Sequence, residues 1–348
     1  MQKKVSLVIL VAVMLLCIVV TGCGKNAEAP SGSSSGSNDQ TPAEVKVLKI
    51  SNGYAPTHPY NLALKEFKET VESKTNGAIR VDIYDSAVMG TSQDEIEAVM
   101  SGTEDAAVVA ALSMWQNWSD IAAIEEVPFL FPDAKTARAA FHGDFGQKVI
   151  DQVITANNVK ALGVWEFGFR HITNNVRPIV EPSDMQGIKF RVGPSQIRLE
   201  AFQALGANIM SVAWNELFTA LQQKTVDGQE NPIMTIESSG FGEVQKYLSL
   251  SGHVYNSGFF IINPDYFNSL TPEQQKIVAD AAEAGGYRTE ELNDELEGQA
   301  IEKLKNQGVE VNDTVDKEAF KKAMQPVWEE FREKYGNELL DLALSYVK

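Results

Sequence analysis

Arg191 is the residue whose type and position point most directly to chemistry. It lies in a predicted strand over residues 188–192, which Gly193 and Pro194 end immediately. Ligands of α/β proteins bind in the crevice outside the ends of such strands. The planar guanidinium matches a carboxylate with two parallel charge-assisted hydrogen bonds. From its residue type and position alone, Arg191 is expected to form a structural ion pair with one of the 47 acidic residues, and carboxylate binding is the alternative.

Arg170 and Asn231 are two further candidates for contact with an anion. Arg170 follows the aromatic stretch 165–169, where it either binds a ligand or forms a stabilising pair at a hinge. Asn231 stands before Pro232 in a predicted turn, where its amide can donate to a carboxylate while its carbonyl oxygen accepts from a neighbour. The alternative for Asn231 is a purely turn-forming role.

A second group of side chains is suited to the hydroxyl groups of a ligand. Its members are Tyr54, Thr57 and His58 in the loop after the first strand, Gln93 and Glu95 near the start of a helix, Glu166, and Trp214 just before another helix. Trp214 either stacks on the apolar face of a sugar ring or belongs to the core. No nucleophile or second base lies near His58 in the sequence, so a capping or hydrogen-bonding role is expected there.

The composition excludes several classes of protein. The chain has 348 residues, enough for two domains, and its 44% hydrophobic residues are typical of a folded globular protein. A net charge of −17 repels polyphosphate, so nucleic acid is not an expected partner. With 2 cysteines and 4 histidines, and no Cys-x-x-Cys or His-Glu-x-x-His spacing, no metal or other cofactor is expected.

The first 44 residues predict an export signal followed by a tether. Lys3 and Lys4 precede an apolar run, 5–20, that is too short to span a bilayer, so residues 1–22 are predicted to be a signal peptide. The run ends in VTGC, which resembles the lipobox of bacterial lipoproteins. This predicts lipidation of Cys23 and anchoring to the outer face of the cytoplasmic membrane; an uncleaved anchor helix is the alternative. The Gly- and Ser-rich remainder, 23–44, is predicted to be a flexible linker.

A G-x-S-x-G pattern at residues 32–36 matches the nucleophile motif of α/β hydrolases. That motif requires a strand before the serine and a helix after it. Neither is predicted around Ser34, so the pattern is interpreted as part of the linker.

Alternating strand and helix signals from residue 45 predict the α/β fold that must position these side chains. The first series comprises strands at 47–50, 79–84 and 106–112 and helices at 59–74 and 92–102, the second of which begins with a capping box of Ser92 and Glu95 and ends at Gly102. Two further helices at 134–141 and 145–156 and a strand-like stretch at 159–172 lead into a second series, which comprises a strand at 188–192 and helices at 195–205 and 215–224. A helix at 271–307, about 54 Å long, can cross two lobes unless Gly285 and Gly286 break it.

Five stretches of the sequence carry a family resemblance. They are GFRHITN at 168–174, MQGIKFRV at 185–192, ALQQKTVDGQENP at 220–232, VPFLF at 127–131 and EVQKY at 243–247. Together they resemble the solute-binding proteins of TRAP transporters, the DctP family, over nearly all of residues 48–304. The resemblance implies a two-lobed α/β fold, similar to type II periplasmic binding proteins, with crossing hinge strands and a long helix spanning both lobes. It also implies a ligand cleft between the lobes and delivery to a sodium-driven membrane permease.

The same resemblance assigns lobes and site residues. Lobe I is expected to comprise residues 45–168 and 257–295, and lobe II residues 169–256 and 296–348, with the helix at 271–307 bridging both. Arg191 matches the arginine that holds the ligand carboxylate in these receptors, so the resemblance favours carboxylate binding over the structural ion pair. Arg170 matches their second cleft arginine, and Asn231 a third anion contact. Arg198 stands where an apolar residue is expected in the family; it is predicted to be exposed, and the alternative is a third cation of the site.

The sequence thus predicts an exported receptor rather than an enzyme. It is expected to capture a small organic carboxylate by hinge closure and to deliver it to a TRAP permease, with membrane contact through the lipid anchor only. Segments 210–217 and 247–255 look most like sugar-acid members, so a hexuronate such as glucuronate or galacturonate is preferred. C4-dicarboxylates and sialic acid are alternative ligands, and an exported α/β hydrolase is the alternative class. A sensor that passes its ligand to a signalling partner also stays open.

Overall fold

The computed structural model describes residues 45–347. The predicted signal peptide at 1–22, the lipidation site Cys23 and the linker to residue 44 lie outside the described residues. Between residues 45 and 347, no helix combines the length and the apolar character that crossing a membrane requires.

One mixed sheet of nine strands runs through the described chain. The strands are β1 (Lys46–Ser51), β2 (Ile79–Tyr84), β3 (Ala106–Ala110), β4 (Lys160–Asn174), β5 (Lys189–Val192), β6 (Asn208–Ser211), β7 (Gly228–Pro232), β8 (Tyr247–Ile262) and β9 (Glu310–Asn312). Their order in the sheet is β2-β1-β3-β8-β4-β7-β5-β6, and β9 pairs with β8. The parallel groups β2-β1-β3 and β7-β5-β6 lie on either side of the long antiparallel pair β4 and β8.

Twelve α-helices cover the described sheet. They are α1 (Pro59–Lys74), α2 (Ser92–Ser101), α3 (Ala134–Phe141), α4 (Asp144–Val149), α5 (Gln196–Ala204), α6 (Trp214–Gln222), α7 (Ile233–Ser238), α8 (Pro264–Asn268), α9 (Pro272–Asn306), α10 (Lys317–Ala323), α11 (Gln325–Tyr335) and α12 (Glu338–Leu344). The predicted helix at 145–156 is divided: α4 is followed by a π-helical turn, Ile150–Ile154, and a short 3₁₀ turn. A further 3₁₀ helix, Asp120–Glu126, carries Glu126, whose ion pair is described below.

Helix α1 and strand β2 begin and end at their predicted residues because local signals define them. The ring nitrogen Nδ1 of His58 caps α1 by accepting from the backbone N–H of Tyr60 at 3.2 Å. After α1, Asn76 and Gly77 take positive φ angles of 52° and 77° and turn the chain into β2. Strands β1 and β2 then pair in parallel, which confirms the predicted β-α-β unit.

The N-cap of α2 differs from its prediction by one residue, although the helix begins at Ser92 as predicted. Thr91 and Asp94 form the capping box: the Thr91 hydroxyl accepts from the backbone N–H of Asp94 at 3.4 Å, and the Asp94 carboxylate accepts from the N–H of Thr91 at 2.7 Å. The predicted box of Ser92 and Glu95 was wrong because the side chain of Glu95 is buried beneath the helix. Gly102 ends α2 with a φ of 75°, as predicted.

Strands β4 and β8 cross the centre of the sheet and change register on both sides of Arg170. Shifts occur between Glu166 and Gly168 and again between Arg170 and Ile172. Gly168 has a φ of 110°, a conformation that favours glycine. Irregularities of this kind bend a strand and redirect its side chains. They aim Arg170 at the cavity described below.

Helix α9 is continuous over 35 residues, about 52 Å, and packs along β4. The predicted alternative, a break at Gly285 and Gly286, was wrong. A Cβ atom on Gly285 would lie 2.4 Å from the ring of Trp165, and one on Gly286 would lie 2.2 Å from the carbonyl oxygen of Val164. The two glycines therefore allow the helix to approach the strand closely.

The ends of α9 reach different hydrophobic cores. Val278 and Ala282, in its first half, pack with Leu64 of α1. Leu304, near its end, packs with Ile236 of α7. The helix therefore contributes to two hydrophobic cores, and its bridging of two lobes stays a prediction.

Candidate functional site

A cavity of about 270 Å³ opens where the chain leaves strands β1, β3, β5 and β6. Most of the predicted site residues line it: Arg191, Arg170, Asn231, Tyr54, Gln93 and Trp214. The other lining residues are Gly53, Thr91, Ser92, Met114, Phe167, Arg198 and residues 110–111, 193–194 and 211–213. The position agrees with the rule that α/β folds bind ligands outside strand ends.

Arg191, at the end of β5, is the unpaired cation of the cavity. It is 3% exposed, and its Nε donates to the backbone carbonyl of Val212 at 3.0 Å. Nη1 and Nη2 have no hydrogen-bond partner among residues 45–347. Burial lowers the pKa of Arg191 below its ordinary value, Glu230 offsets part of this, and Arg170 and Arg198 lower it further. A carboxylate in the cavity would therefore relieve an uncompensated buried charge.

Arg170 also reaches the cavity, but it is paired within the protein. Its Nε and Nη2 bind the carboxylate of Glu230, with the Nη2 to Oε1 distance at 2.9 Å. Nη1 donates to the side-chain oxygen of Asn256 at 3.0 Å, and Nη2 to that of Asn231 at 3.0 Å. The predicted alternative of a stabilising pair therefore describes most of its contacts, and contact with a ligand stays a prediction.

Glu230 is the centre of this buried network. It is 0% exposed and accepts hydrogen bonds from Arg170, from Arg198 at 2.9 Å and from Nε2 of His253 at 3.1 Å. Burial alone would raise the pKa of Glu230, but Arg170 and Arg198 hold it well below its ordinary value. Glu230 is therefore a fixed anion beside the cavity.

The prediction that Arg198 is exposed was wrong. Arg198 is 2% exposed, and its guanidinium pairs with both carboxylate oxygens of Glu126 at 2.7 Å. Its Nη1 donates to Glu230 and its Nη2 to the hydroxyl of Ser113 at 3.4 Å. These partners lie 72, 32 and 85 residues away in the chain, so the sequence around Arg198 contained no signal for them.

Asn231 lies in strand β7 rather than in the predicted turn. The strand pairs with β4, and the residue opposite Asn231 is His171. The side-chain oxygen of Asn231 accepts from Arg170, and its amide donates to Gln229. Asn231 therefore lines the cavity, with its polar atoms engaged by neighbours.

Trp214, Tyr54 and Gln93 lie at the cavity as predicted. The indole N–H of Trp214 donates to the backbone carbonyl of Gly53 at 3.2 Å, and its ring lies 5.8 Å from that of Tyr54. Trp214 thus connects the start of α6 with the loop after β1. The ring also packs against Phe241 of a hydrophobic core, so the core role holds in part, whereas stacking on a ligand stays a prediction.

Four predicted ligand contacts do not line the cavity: Thr57, His58, Glu95 and Glu166. Thr57 is exposed, whereas His58 caps α1 and its pKa is lowered to about 3 by burial. Glu95 is buried beneath α2. Glu166 pairs with Arg138 and accepts from the hydroxyl of Tyr255 at 3.1 Å on a different face of β4.

Among residues 45–347, no cluster of three or more His, Cys, Asp or Glu side chains has the geometry of a metal site.

Residues 50–334 match the family model described as bacterial extracellular solute-binding protein, family 7, also called DctP. A relative from Escherichia coli (strain K12), the 2,3-diketo-L-gulonate-binding periplasmic protein YiaO, is 33% identical over 281 residues. The alignment covers 80% of this chain and 85% of the relative.

Solved structures of TRAP-type binding proteins have the same fold. The sugar acid binding protein DctPAm from Advenella mimigardefordensis, in complex with galactonate, superposes with a TM-score of 0.83 at 31% identity, covering 87% of this chain and 99% of that one. A TRAP periplasmic solute binding protein from Sulfitobacter, with bound β-D-galacturonate, superposes with a TM-score of 0.81 at 29% identity, covering 86% and 99%.

Proposed function

Because the chain belongs to the DctP family of bacterial extracellular solute-binding proteins, we propose that it captures a small sugar acid in the cavity beside Arg191. The protein is a solute receptor of the TRAP type. Its proposed partner is a sodium-coupled TRAP permease, to which it delivers the ligand. Within this proposal the protein has no enzymatic activity of its own.

The unpaired guanidinium of Arg191 is the observation that carries the proposal. Arg170 and Arg198 are neutralised by Glu230 and Glu126, but the two Nη atoms of Arg191 have no acceptor among the described residues. A ligand carboxylate supplies two parallel acceptors in the geometry that a guanidinium fork prefers. Arg170 and Asn231, on the adjoining wall, are proposed as secondary contacts to the same carboxylate.

A hexuronate such as glucuronate or galacturonate is the proposed ligand. The solved relatives named above hold galactonate and galacturonate, which are polyhydroxylated monocarboxylates. Gln93, Tyr54 and the face of Trp214 are suited to the hydroxyl groups and the ring of such a molecule. C4-dicarboxylates and sialic acid are the alternative ligands.

Thermal-shift screening of organic acids tests this proposal. A ligand at 100 times its dissociation constant adds about 2.7 kcal/mol of stability. Glucuronate or galacturonate is expected to raise the melting temperature, whereas the corresponding neutral sugars, glucose and galactose, serve as matched controls and should not. If no sugar acid, dicarboxylate or sialic acid stabilises the protein, the proposed function is wrong.

Hinge closure around the ligand is proposed to occur where β4 and β8 change register. The shifts beside Gly168 and Arg170 weaken the regular pairing there. The proposed boundary at this position separates lobe I, residues 45–168 and 257–295, from lobe II, residues 169–256 and 296–348. Small-angle X-ray scattering with and without glucuronate tests closure, which predicts a smaller radius of gyration in the ligand-bound protein.

Export and lipid anchoring complete the proposal. Cys23 is proposed to carry the lipid after removal of residues 1–22, so that the receptor is held at the outer face of the cytoplasmic membrane. Mass spectrometry of the protein extracted from membranes is expected to find Cys23 as the first residue and carrying a diacylglyceryl group. If the chain begins at Met1 or Cys23 carries no lipid, the anchoring proposal is wrong.

A further inference from the structure

The charges around the cavity nearly cancel. Arg170 and Arg198 are paired with Glu230 and Glu126, and all four side chains are at most 3% exposed. Arg191 is the remaining cation in the cavity wall of the described chain. Three cations and two anions leave a net charge of about +1.

Neighbouring titratable groups do not alter this balance near neutral pH. Glu125 does not line the cavity: its carboxyl oxygens accept from the backbone N–H of Ser113 at 3.3 Å and from the N–H and hydroxyl of Ser257 at 3.0 and 2.8 Å, and burial raises its pKa to about 8. Burial lowers the pKa of His253, which stays neutral and donates from Nε2 to Glu230 while its Nδ1 accepts from Ser251 at 2.8 Å. Burial raises the pKa of Tyr54, which is therefore also neutral.

We propose that this balance sets the charge of the ligand, and that the ion pair of Arg198 with Glu126 is the specificity-determining element that fixes it. The cavity then accepts acids with one negative charge and disfavours dianions. The inference rests on the proposed function, because it assumes that Arg191 binds a carboxylate.

The physical reason is desolvation. One carboxylate beside Arg191 brings the buried site to neutrality, whereas a second carboxylate would lose its hydration without meeting an unpaired cation in the described wall. Arg198 acts as a positioning residue, since its three nitrogens are already engaged by Glu126, Glu230 and Ser113.

Replacing Arg198 or Glu126 by an uncharged residue changes the net charge of the site and leaves Arg191 in place. An Arg198→Met variant leaves Glu126 with the Asn256 amide, at 3.1 Å, as its remaining donor and lowers the net charge of the site to about zero. A Glu126→Gln variant raises it to about +2. The double variant returns it to about +1, like the wild type.

Galactonate and galactarate are the probes, because they share one carbon skeleton and differ in carrying one or two carboxylates. Their dissociation constants would be measured by isothermal titration calorimetry at pH 7 for the four proteins. The wild type is expected to prefer galactonate. Glu126→Gln should shift the ratio of the two constants roughly tenfold toward galactarate. Arg198→Met should weaken both ligands, roughly tenfold for galactonate and more for galactarate, and the double variant should restore the wild-type ratio.

The outcomes separate this inference from the proposed function. If the wild type takes galactonate but Glu126→Gln leaves the ratio unchanged, or if the wild type prefers galactarate, the charge inference alone is overturned. If the wild type binds neither probe nor any other acid in the screen, the proposed function is what fails. Should Arg198→Met not fold, Glu126→Gln still decides, because glutamine matches the shape of glutamate and can keep a hydrogen bond to Asn256.

Discussion

Two buried groups of ionisable side chains differ in how their charge is balanced. In the cavity wall, paired arginines and glutamates leave Arg191 as an unpaired cation that faces open space. Beneath α2, Glu95 and Glu104 are 0% and 2% exposed, and their carboxylate oxygens have no hydrogen-bond partner among residues 45–347.

The acidic pair responds to burial by holding protons. Burial raises the pKa of Glu104 to about 7, and burial together with the charge of Glu104 raises the pKa of Glu95 well above its ordinary value. The hydroxyl of Ser51 lowers both pKa values, but this effect is smaller than the increase that burial causes. The comparison separates two responses to burial: the unpaired cation beside the cavity keeps a free face that a ligand carboxylate is proposed to fill, whereas burial of the acidic pair raises the pKa of both carboxyl groups.

The largest expected effect concerns a paired residue of the cavity wall. Arg170→Ala should lower the free energy of unfolding by about 3–5 kcal/mol, because the buried carboxylate of Glu230 loses a main partner. Urea denaturation measures this value. Combining the change with Glu230→Gln should recover part of the loss, since no buried charge is then left. A loss below about 1 kcal/mol would contradict the view that Arg170 is structurally paired.

Arg191→Ala, in contrast to Arg170→Ala, should lower ligand affinity without lowering stability. Affinity for glucuronate is expected to fall about 100-fold or more, with no loss in the free energy of unfolding, because the side chain contributes an uncompensated charge. Calorimetry and urea denaturation of the same sample measure both quantities. Arg191→Lys is the matched control: it keeps the charge but loses the planar fork, and an intermediate affinity is expected. Unchanged affinity in Arg191→Ala would show that its assigned role is wrong.

The acidic pair predicts a pH effect on stability. The pKa of Glu104 is about 7 in the folded protein against an ordinary 4.5, so between these values the folded state holds a proton that the unfolded chain has released. The free energy of unfolding therefore falls as pH rises through this window. Glu104→Gln, which does not titrate, should remove that part of the fall and be more stable than the wild type at pH 8 by on the order of 2 kcal/mol.

Parallel denaturation curves at pH 5 and pH 8 provide the check. A Glu104→Gln protein with the same pH dependence as the wild type would show that the carboxyl group is ionised throughout. Thr103→Ala, a neighbouring change on an exposed side chain, is the matched control and should leave the pH dependence unaltered.

The smallest expected effect on stability concerns the N-terminal cap of α2, the helix that carries Glu95 and begins at the cavity. Thr91→Ala removes the capping hydroxyl of the helix and should cost about 1 kcal/mol of stability, with a weaker effect on glucuronate affinity. Thr57→Ala, at an exposed position away from the cavity, should change neither quantity. If the two variants behave alike in thermal denaturation, the cap does not stabilise the helix.

Much of the fold could be predicted from the sequence because its signals are local. Helix α1 begins at Pro59 behind a capping residue and ends before Asn76 and Gly77, so neighbouring residues define both ends. Helix α9 likewise begins within one residue of its predicted start, where Thr271 and Gln274 form a capping box around Pro272. Whether Gly285 breaks that helix depended on Trp165 and β4, which no local pattern contains.

Only some of the residues predicted for the candidate site lie at the cavity. Arg191, Arg170 and Asn231 were identified from strand ends and from family motifs, and all three line the cavity. The same reasoning placed Glu95 and Glu166 in contact with the ligand, although each faces a different part of the interior. Distance along the chain from a strand end or a helix start does not determine which side of the sheet a side chain faces.

The sequence by itself determined which residue types were available to this protein: three arginines, their acidic partners, and the strands and helices that carry them. The tertiary structure decided which arginine remains unpaired. Arg198 and Arg191 lie within seven positions of each other, yet Glu126 and Glu230 neutralise the first and leave the second free toward the cavity. Pairing of buried charges depends on distances that only the folded chain sets, because Coulomb attraction acts through space and the burial that strengthens it exists only after packing.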